Sequence, residues 1–332
     1  MTIDDVIVAI GLHKTFMVRG KEIPAVRGID FAVQKGEICG FLGPNGAGKT
    51  TTLRMLTTLL PIDSGQARVA GLDVAREATR VRERTGYVSQ LGGADELATG
   101  RENLVLQGRL YGGAKAEVAR RVEEVLTVLD LAGIADRRAK TYSGGQRRRL
   151  DVALGIVHQP QVLFLDEPST GLDPQNRVHL WEYVQKLRDG GTTIFLTTHY
   201  LEEADALCDR VMIVDHGRVV ADGAPRELKR EVSGDSVVLS FRPNDNGLQR
   251  ALNMVNTLGF VREAAAKGEQ LHLYVEDGTK ALPELIRQLD AEGVGITAIN
   301  LAEPSLDDVF LTKTGRSLRD ASPAPTAEEE AA

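Results

Sequence analysis

A chain of 332 residues with 42 % hydrophobic residues has apolar material for ordinary globular cores, which excludes disorder throughout, and its length suggests about two domains. A net charge of −7 argues against a protein that coats nucleic acid. No apolar run approaches the ~18 residues of a membrane-spanning helix, Met1 to Val6 lacks signal-peptide character, and Cys39 and Cys208 have no metal or redox spacing, so a soluble cytosolic protein is expected.

In chain order, Val6 to Ile10 and Val26 to Val33 read as strands of a hairpin-rich β-subdomain, with Phe16 between them as an aromatic that could stack on a base. Residues 36 to 43 read as a turn and a buried strand. Gly43-Pro44-Asn45-Gly46-Ala47-Gly48-Lys49-Thr50 then fills every fixed position of the phosphate-cradling P-loop, and an apolar-periodic helix follows, from Thr50 through Thr51 to Leu60, where Pro61 stops it. The chemistry needs these residue types. Gly43, Gly46 and Gly48 let successive N–H groups turn inward, and the helix N-terminus adds positive potential for a polyphosphate. Lys49 is placed to reach the β- and γ-phosphates, and Thr50 to offer a hydroxyl to Mg²⁺.

Gly65 to Val69 and Thr85 to Gln90 are further strand candidates, the second delivering Gln90 to a C-terminal strand end, where α/β sheets bind ligands. Residues 95 to 159 read as mostly helical, with apolar residues at three-to-four spacing in 103 to 110 and 116 to 129. Within them Tyr142-Ser143-Gly144-Gly145-Gln146 opens a helix, Ser143 acting as N-cap, which makes a second anion loop. Of the Arg147-Arg148-Arg149 triplet, at least two are expected on a solvated basic face. Val162 to Leu165 is a buried strand carrying Asp166 and Glu167 to the sheet edge, Asp166 on the Mg²⁺ side and Glu167 as candidate base for an attacking water. A polar loop with Asp173 follows. Thr193 to Thr198 repeats the pattern and places His199 where a γ-phosphate would sit. Arg210 to Val214 and Arg218 to Ala221 read as a hairpin.

These motifs in this order resemble the nucleotide-binding subunit of an ABC transporter, over residues 4 to about 230. The resemblance implies an α/β fold: a P-loop ATPase domain with a RecA-like core, an antiparallel β-subdomain and a helical signature subdomain. It implies ATP and Mg²⁺ as ligands. Phe16 then looks like the adenine-stacking aromatic, Gly43 to Thr50 the P-loop, with Thr51 a further nucleotide-binding position, and Gln90 the Q-loop glutamine touching Mg²⁺ and the membrane part. Ser143, Gly144, Gly145 and Gln146 look like the signature loop, with Tyr142 where the family usually has Leu. Asp166 and Glu167 resemble the Walker B pair, Asp173 the D-loop aspartate and His199 the switch histidine. The Lys140 to Gly145 stretch, Arg147 to Asp151 and Ser305 to Phe310 look like the daunorubicin/doxorubicin-resistance branch of drug exporters. In such a system two chains sandwich two ATP molecules and drive a separate polytopic membrane permease from the inner membrane face, with no nucleic acid involved.

After Gly223 the composition changes. Strand and helix candidates from Ser236 to Leu301 follow the order βαββαβ, which suggests a small α+β ferredoxin-like domain. The expected division is a nucleotide-binding domain at 4–232, an accessory domain at 233–314 and a disordered acidic tail at 319–332. The rival reading is a soluble ABC ATPase of DNA repair or translation. It is disfavoured, because one set of motifs is present and no heptad run separates the P-loop from Asp166.

Overall fold

The computed structural model describes residues 5–232, 235–242, 247–275, 277–302 and 304–318. They divide into two compact units, one running to Pro225 and taking back Leu318, the other spanning Arg226 to Ser317. The tail expected at 319–332 lies outside the described residues.

In the first unit, β1 (Asp5–Val18) and β2 (Lys21–Gln34) form an antiparallel hairpin closed by Arg19 and Gly20, both at positive φ as a tight hairpin turn requires. Both strands outrun their expected lengths. Register shifts between Ala9 and Leu12 and between Leu12 and His13 break the alternation of burial on which a strand reading depends. β3 (Ile38–Leu42) is buried at all five positions and feeds α1 (Lys49–Leu56). That helix stops short of the expected Leu60. The Thr57 hydroxyl donates back to the Leu53 carbonyl at 3.0 Å and Thr58 takes φ 65, so the chain leaves the helix before Pro61 is reached.

The chain continues through β4 (Ser64–Val69), β5 (Leu72–Asp73), α2 (Ala78–Arg84) and β6 (Thr85–Val88). A helical excursion follows: α3 (Gly100–Leu110), α4 (Lys115–Val128) and α5 (Gly144–Ile156). The return builds β7 (Val162–Asp166), α6 (Pro174–Asp189), β8 (Thr193–Thr198), α7 (Leu201–Leu207), β9 (Arg210–Asp215) and β10 (Arg218–Gly223).

Two sheets result, one in the order β2-β1-β4-β5 and the other β10-β9-β3-β8-β7-β6. In the second sheet β9, β3, β8, β7 and β6 run parallel, so their C-terminal ends share one edge. Crossing helices cover such strands on both faces, which is why β3, β7 and β8 are buried at every position and apolar in their middles. Phe31 of β2 packs on Phe41 and Phe195 with ring centroids 5.8 and 5.7 Å away, and Phe164 joins Phe195 at 5.8 Å. These rings weld the hairpin sheet to the parallel sheet, and truncating one to Ala would cost about 3–5 kcal/mol. On the far side, Gly86 of β6 and Gly155 of α5 let helix and strand touch: a Cβ on Gly86 would lie 2.0 Å from the Gly155 carbonyl oxygen.

The second unit begins within α8 (Pro225–Glu231) and contains β11 (Asp235–Phe241), α9 (Gly247–Val255), β12 (Val261–Lys267), β13 (Gln270–Val275), α10 (Gly278–Ala291) and β14 (Ile296–Ala302). The sheet is antiparallel in the order β12-β13-β11-β14. That is the ferredoxin-like order, and the βαββαβ reading agrees with it. Leu239, Leu271 and Leu273 of the sheet pack with Ala251 and Val255 of α9 and Leu285 and Leu289 of α10 in one core. A last helix, α11 (Leu306–Thr314), begins at a capping box in which Ser305 and Asp308 bond each other reciprocally. Sequence reading used Ser305 to Phe310 only as a motif and gave it no element.

Candidate nucleotide and metal site

The parallel sheet delivers its functional residues at one edge. β3 runs into Gly43, β6 ends two residues before Gln90, β7 ends at Asp166 and β8 ends one residue before His199. Because β8 lies between β3 and β7, His199 emerges between the P-loop and the paired acids.

Glu167 is the centre of the cluster. Lys49 Nζ is 3.3 Å from its Oε1, while His199 Nδ1 at 3.1 Å, Thr170 Oγ1 at 3.2 Å and Gln90 Nε2 at 3.4 Å surround Oε2. Burial alone would raise the Glu167 carboxyl, but the hydrogen bond to His199 and the charge of Lys49 outweigh it and bring it from 4.5 to about 2. Burial lowers the Lys49 ammonium from its ordinary value, and Glu167 opposes that shift in part. Lys49 also donates to the Gly43 and Pro44 carbonyls at 2.9 and 3.1 Å, so its head already lies inside the loop. Gly48 caps α1 at φ 99 against Ala25 of β2; a Cβ there would sit 2.4 Å from the Ala25 carbonyl oxygen, so only glycine fits. Pro44, Asn45, Gly46 and Ala47 form the rest of the turn, and Thr51 is buried in the first turn of α1.

Asp166 accepts from Thr50 Oγ1 at 3.0 Å and from Thr197 Oγ1 at 2.6 Å. A hydroxyl and a carboxylate side by side at the sheet edge are hard oxygen donors. They fit Mg²⁺, which commonly takes one or two carboxylates together with substrate phosphates. Gln90 reaches Glu167 rather than Asp166. Phe16 is half-buried, with Lys14 Nζ 5.8 Å from its ring centre. It pairs with Ile23 of β2, two residues before the Ala25 whose carbonyl lies against Gly48.

The structure gathers the P-loop, Gln90, Asp166, Glu167 and His199 by direct contacts, but it holds the signature loop and Asp173 in a second group. Ser143 and Gln146 close a capping box on each other, at 3.3 Å from Gln146 N and 3.0 Å from Ser143 N. Asp173 caps α6 through Asn176, at 2.9 Å to its N–H. A Cβ on Gly145 would lie 2.2 Å from Asn176 Oδ1, so the two loops are packed together. Tyr142, the departure from the family's Leu, donates its hydroxyl to the Ile134 carbonyl at 2.8 Å, over Gly100. Tyr142→Leu should keep ATP turnover within about twofold and lower stability by about 1 kcal/mol, the worth of that bond. Thermal melting beside an ATPase assay checks it, and a large loss of turnover would refute a purely anchoring role.

One expectation is corrected. None of the arginine triplet lies free on a solvated face. Arg147 binds the Ala94 carbonyl at 3.2 Å and Glu96 at 3.1 Å, and Arg149 binds the Leu129 and Asp130 carbonyls. Arg148 is buried. Charge run alone suggested solvent, whereas helical spacing from buried Gly145 to Arg148 to Val152 would have put Arg148 on the inner face. Thr197 was also missed. Its signal is the parallel pairing of β8 with β7, which sets Thr197 opposite Asp166.

A P-loop, two strand-end acids, a strand-end histidine and a second glycine loop opening a helix define a nucleotide-hydrolysing site of the P-loop class. The ABC transporter description matches residues 26–170, and that of the ATP-binding protein DrrA1-3-like C-terminal domain matches residues 223–314. The daunorubicin resistance ATP-binding protein DrrA2 of Streptomyces coeruleorubidus is 48 % identical over 88 % of this chain and 90 % of its own length. The daunorubicin/doxorubicin resistance ATP-binding protein DrrA of Streptomyces peucetius is 44 % identical over 92 % of each chain. The ATP-binding cassette MJ0796, solved as a dimer bound to ADP and Pi, superposes with a TM-score of 0.61 at 24 % identity, covering 66 % of this chain and 98 % of that one. The chain belongs to the ABC transporter family, in its daunorubicin/doxorubicin-resistance branch, and is an ATP-hydrolysing subunit.

Proposed function

We propose that this ATPase energises export of a drug-like or other hydrophobic compound through a separate polytopic permease, working from the inner face of the membrane. Among the described residues no helix is long and apolar enough to cross a membrane. In this reading two copies sandwich two ATP molecules, the signature loop of one completing the P-loop site of the other. The observation that carries it is the separation of the two groups: Gly145 of the signature loop packs on Asn176, which Asp173 caps, and among the described residues no hydrogen bond or ion pair joins Ser143 or Asp173 to Lys49 or Glu167. The dimeric cassette with which this chain superposes supports it.

The contacts within the cluster support the following reading of the residue roles. Lys49 and the P-loop N–H groups would bind the phosphates, Phe16 would stack on adenine, and Thr50, Asp166 and Gln90 would hold Mg²⁺, which would neutralise phosphate charge. Glu167 takes a proton from the attacking water, and His199 holds the γ-phosphate end. Permease docking is assigned to the surface beside Gln90. Leu91, next to Gln90, is 98 % exposed, and Leu106 and Leu110, one turn apart on α3, are 58 % and 71 % exposed, apolar groups that a permease could cover.

The test uses a tagged Glu167→Gln variant, loaded with ATP and Mg²⁺ and drawn from gently solubilised host membranes. A polytopic membrane protein should co-elute, and adding Leu106→Asp with Leu110→Asp should abolish that capture while nucleotide binding persists. Ribosomes or DNA in the eluate would refute the transporter reading.

A further inference from the structure

Arg148 is a buried cation whose hydrogen bonds, among the described residues, all go to backbone carbonyls. Its Nε donates to the Pro168 carbonyl at 2.7 Å, Nη1 to the Ser89 carbonyl at 2.6 Å and Nη2 to the Asp166 carbonyl at 3.2 Å. Two of these acceptors flank Glu167 on either side, and the third immediately precedes Gln90. Glu167 itself has φ 45, a left-handed conformation that non-glycine residues rarely adopt, so something must hold its backbone there. The planar guanidinium presents its donors in a fixed fork, which an ammonium cannot imitate.

One turn further along α5, Asp151 accepts from the Gly93 and Ala94 N–H groups at 2.9 and 3.3 Å. Arg148 and Asp151 therefore grip both ends of the segment from Ser89 to Ala94. The helix that carries them opens with Ser143, Gly144 and Gly145.

We propose that Arg148 is a positioning residue for ATP hydrolysis: it fixes the strained backbone around Glu167 and the start of the Gln90 loop, and ties both to the helix bearing the signature loop. The proposal rests on the reading of Glu167 as the base. Its consequence is that the aim of the Glu167 carboxylate depends on where α5 stands, so a shift of the signature helix is felt in this chain's own hydrolytic centre. Arg148 touches no reacting atom. It acts through Glu167, whose misplacement by about 1 Å can cost on the order of a hundredfold in rate.

The experiment compares Arg148→Lys and Arg148→Met in the full chain, each alone and combined with Glu167→Gln, measuring nucleotide Kd, single-turnover hydrolysis and melting temperature. Arg148→Lys should lower the hydrolysis rate about tenfold to a hundredfold with Kd within about threefold of the parent. On the Glu167→Gln background the same substitution should lower residual hydrolysis no further, because the group it aims is already gone. A hydrolysis rate within about threefold of the parent, or an equal loss on both backgrounds, overturns the proposal. Arg148→Met should be slower still; if it fails to fold, Arg148→Lys decides alone. Rapid hydrolysis by Glu167→Gln itself would refute the base assignment, which the single variant reports separately.

Discussion

Glu167→Gln should bind ATP within about threefold of the parent and hydrolyse it about 10²- to 10⁴-fold more slowly, the range of a positioned general base. The amide keeps the shape of the side chain and can still accept from Thr170 and Gln90, but it cannot take a proton. Phosphate binding falls to Lys49 and the loop N–H groups, which the substitution leaves in place. The electrostatics sharpen the expectation. At about 2, the Glu167 carboxyl is a weak base as it stands, because Lys49 at 3.3 Å and His199 at 3.1 Å stabilise its ionised form. In the proposed mechanism Lys49 turns to the phosphates of a bound nucleotide, and the loss of that cation's stabilisation raises the proton affinity of Glu167. On this proposal loading of the site strengthens the base, which is a way to suppress proton transfer before substrate is in place. Equilibrium binding of a fluorescent ATP analogue and single-turnover hydrolysis check this; near-normal turnover would remove Glu167 from the base role.

The parts of this site legible in the sequence were those fixed by local backbone chemistry. A P-loop needs its glycines at set spacing, and Gly48 at φ 99 against Ala25 shows why no other residue serves. Strands β3, β7 and β8 could be read because strands buried on both faces carry apolar cores, Val162 to Leu165 in β7 and Ile194 to Leu196 in β8, and the acids and the histidine fall just beyond them. What could not be read were contacts that cross elements. Arg148 looks like one of three equivalent charges in the sequence, and only packing of α5 against the ends of β6 and β7 makes it unlike its neighbours. Thr197 is a polar residue in an apolar run whose role depends on strand pairing. The lengths of β1 and β2 were hidden by bulges, and the end of α1 by the Thr57 and Thr58 geometry. In each case a local cue competed with a tertiary one, and the tertiary one decided.

Lys49→Met should abolish function by a different route, lowering ATP affinity while leaving most of the fold intact. Each charge-assisted hydrogen bond from the ammonium to phosphate contributes about 1.5–3 kcal/mol, so losing one or two lowers affinity at least tenfold and up to about 10⁴-fold. Removing one member of a buried ion pair can cost about 3–5 kcal/mol of stability when the other charge is stranded. Here Glu167 is not stranded: His199, Thr170 and Gln90 still face its Oε2. Met also keeps the apolar stem and removes the cost of burying an ammonium, so a loss nearer 1–2 kcal/mol is expected. The pH dependence gives an independent reading with a definite sign. Glu167 falls from 4.5 to about 2 on folding, so its ionised form contributes stability that is fully present above 4.5 and is lost as the pH falls towards 2. Without Lys49 the folded-state value rises back towards 4.5, so Lys49→Met should forgo part of that contribution. Melting temperatures from pH 5 down to about 2 should therefore fall less steeply in the variant than in the parent. Parallel acid-melting curves would show that Lys49 does not stabilise the Glu167 carboxylate, and would break the link by which nucleotide loading strengthens the base.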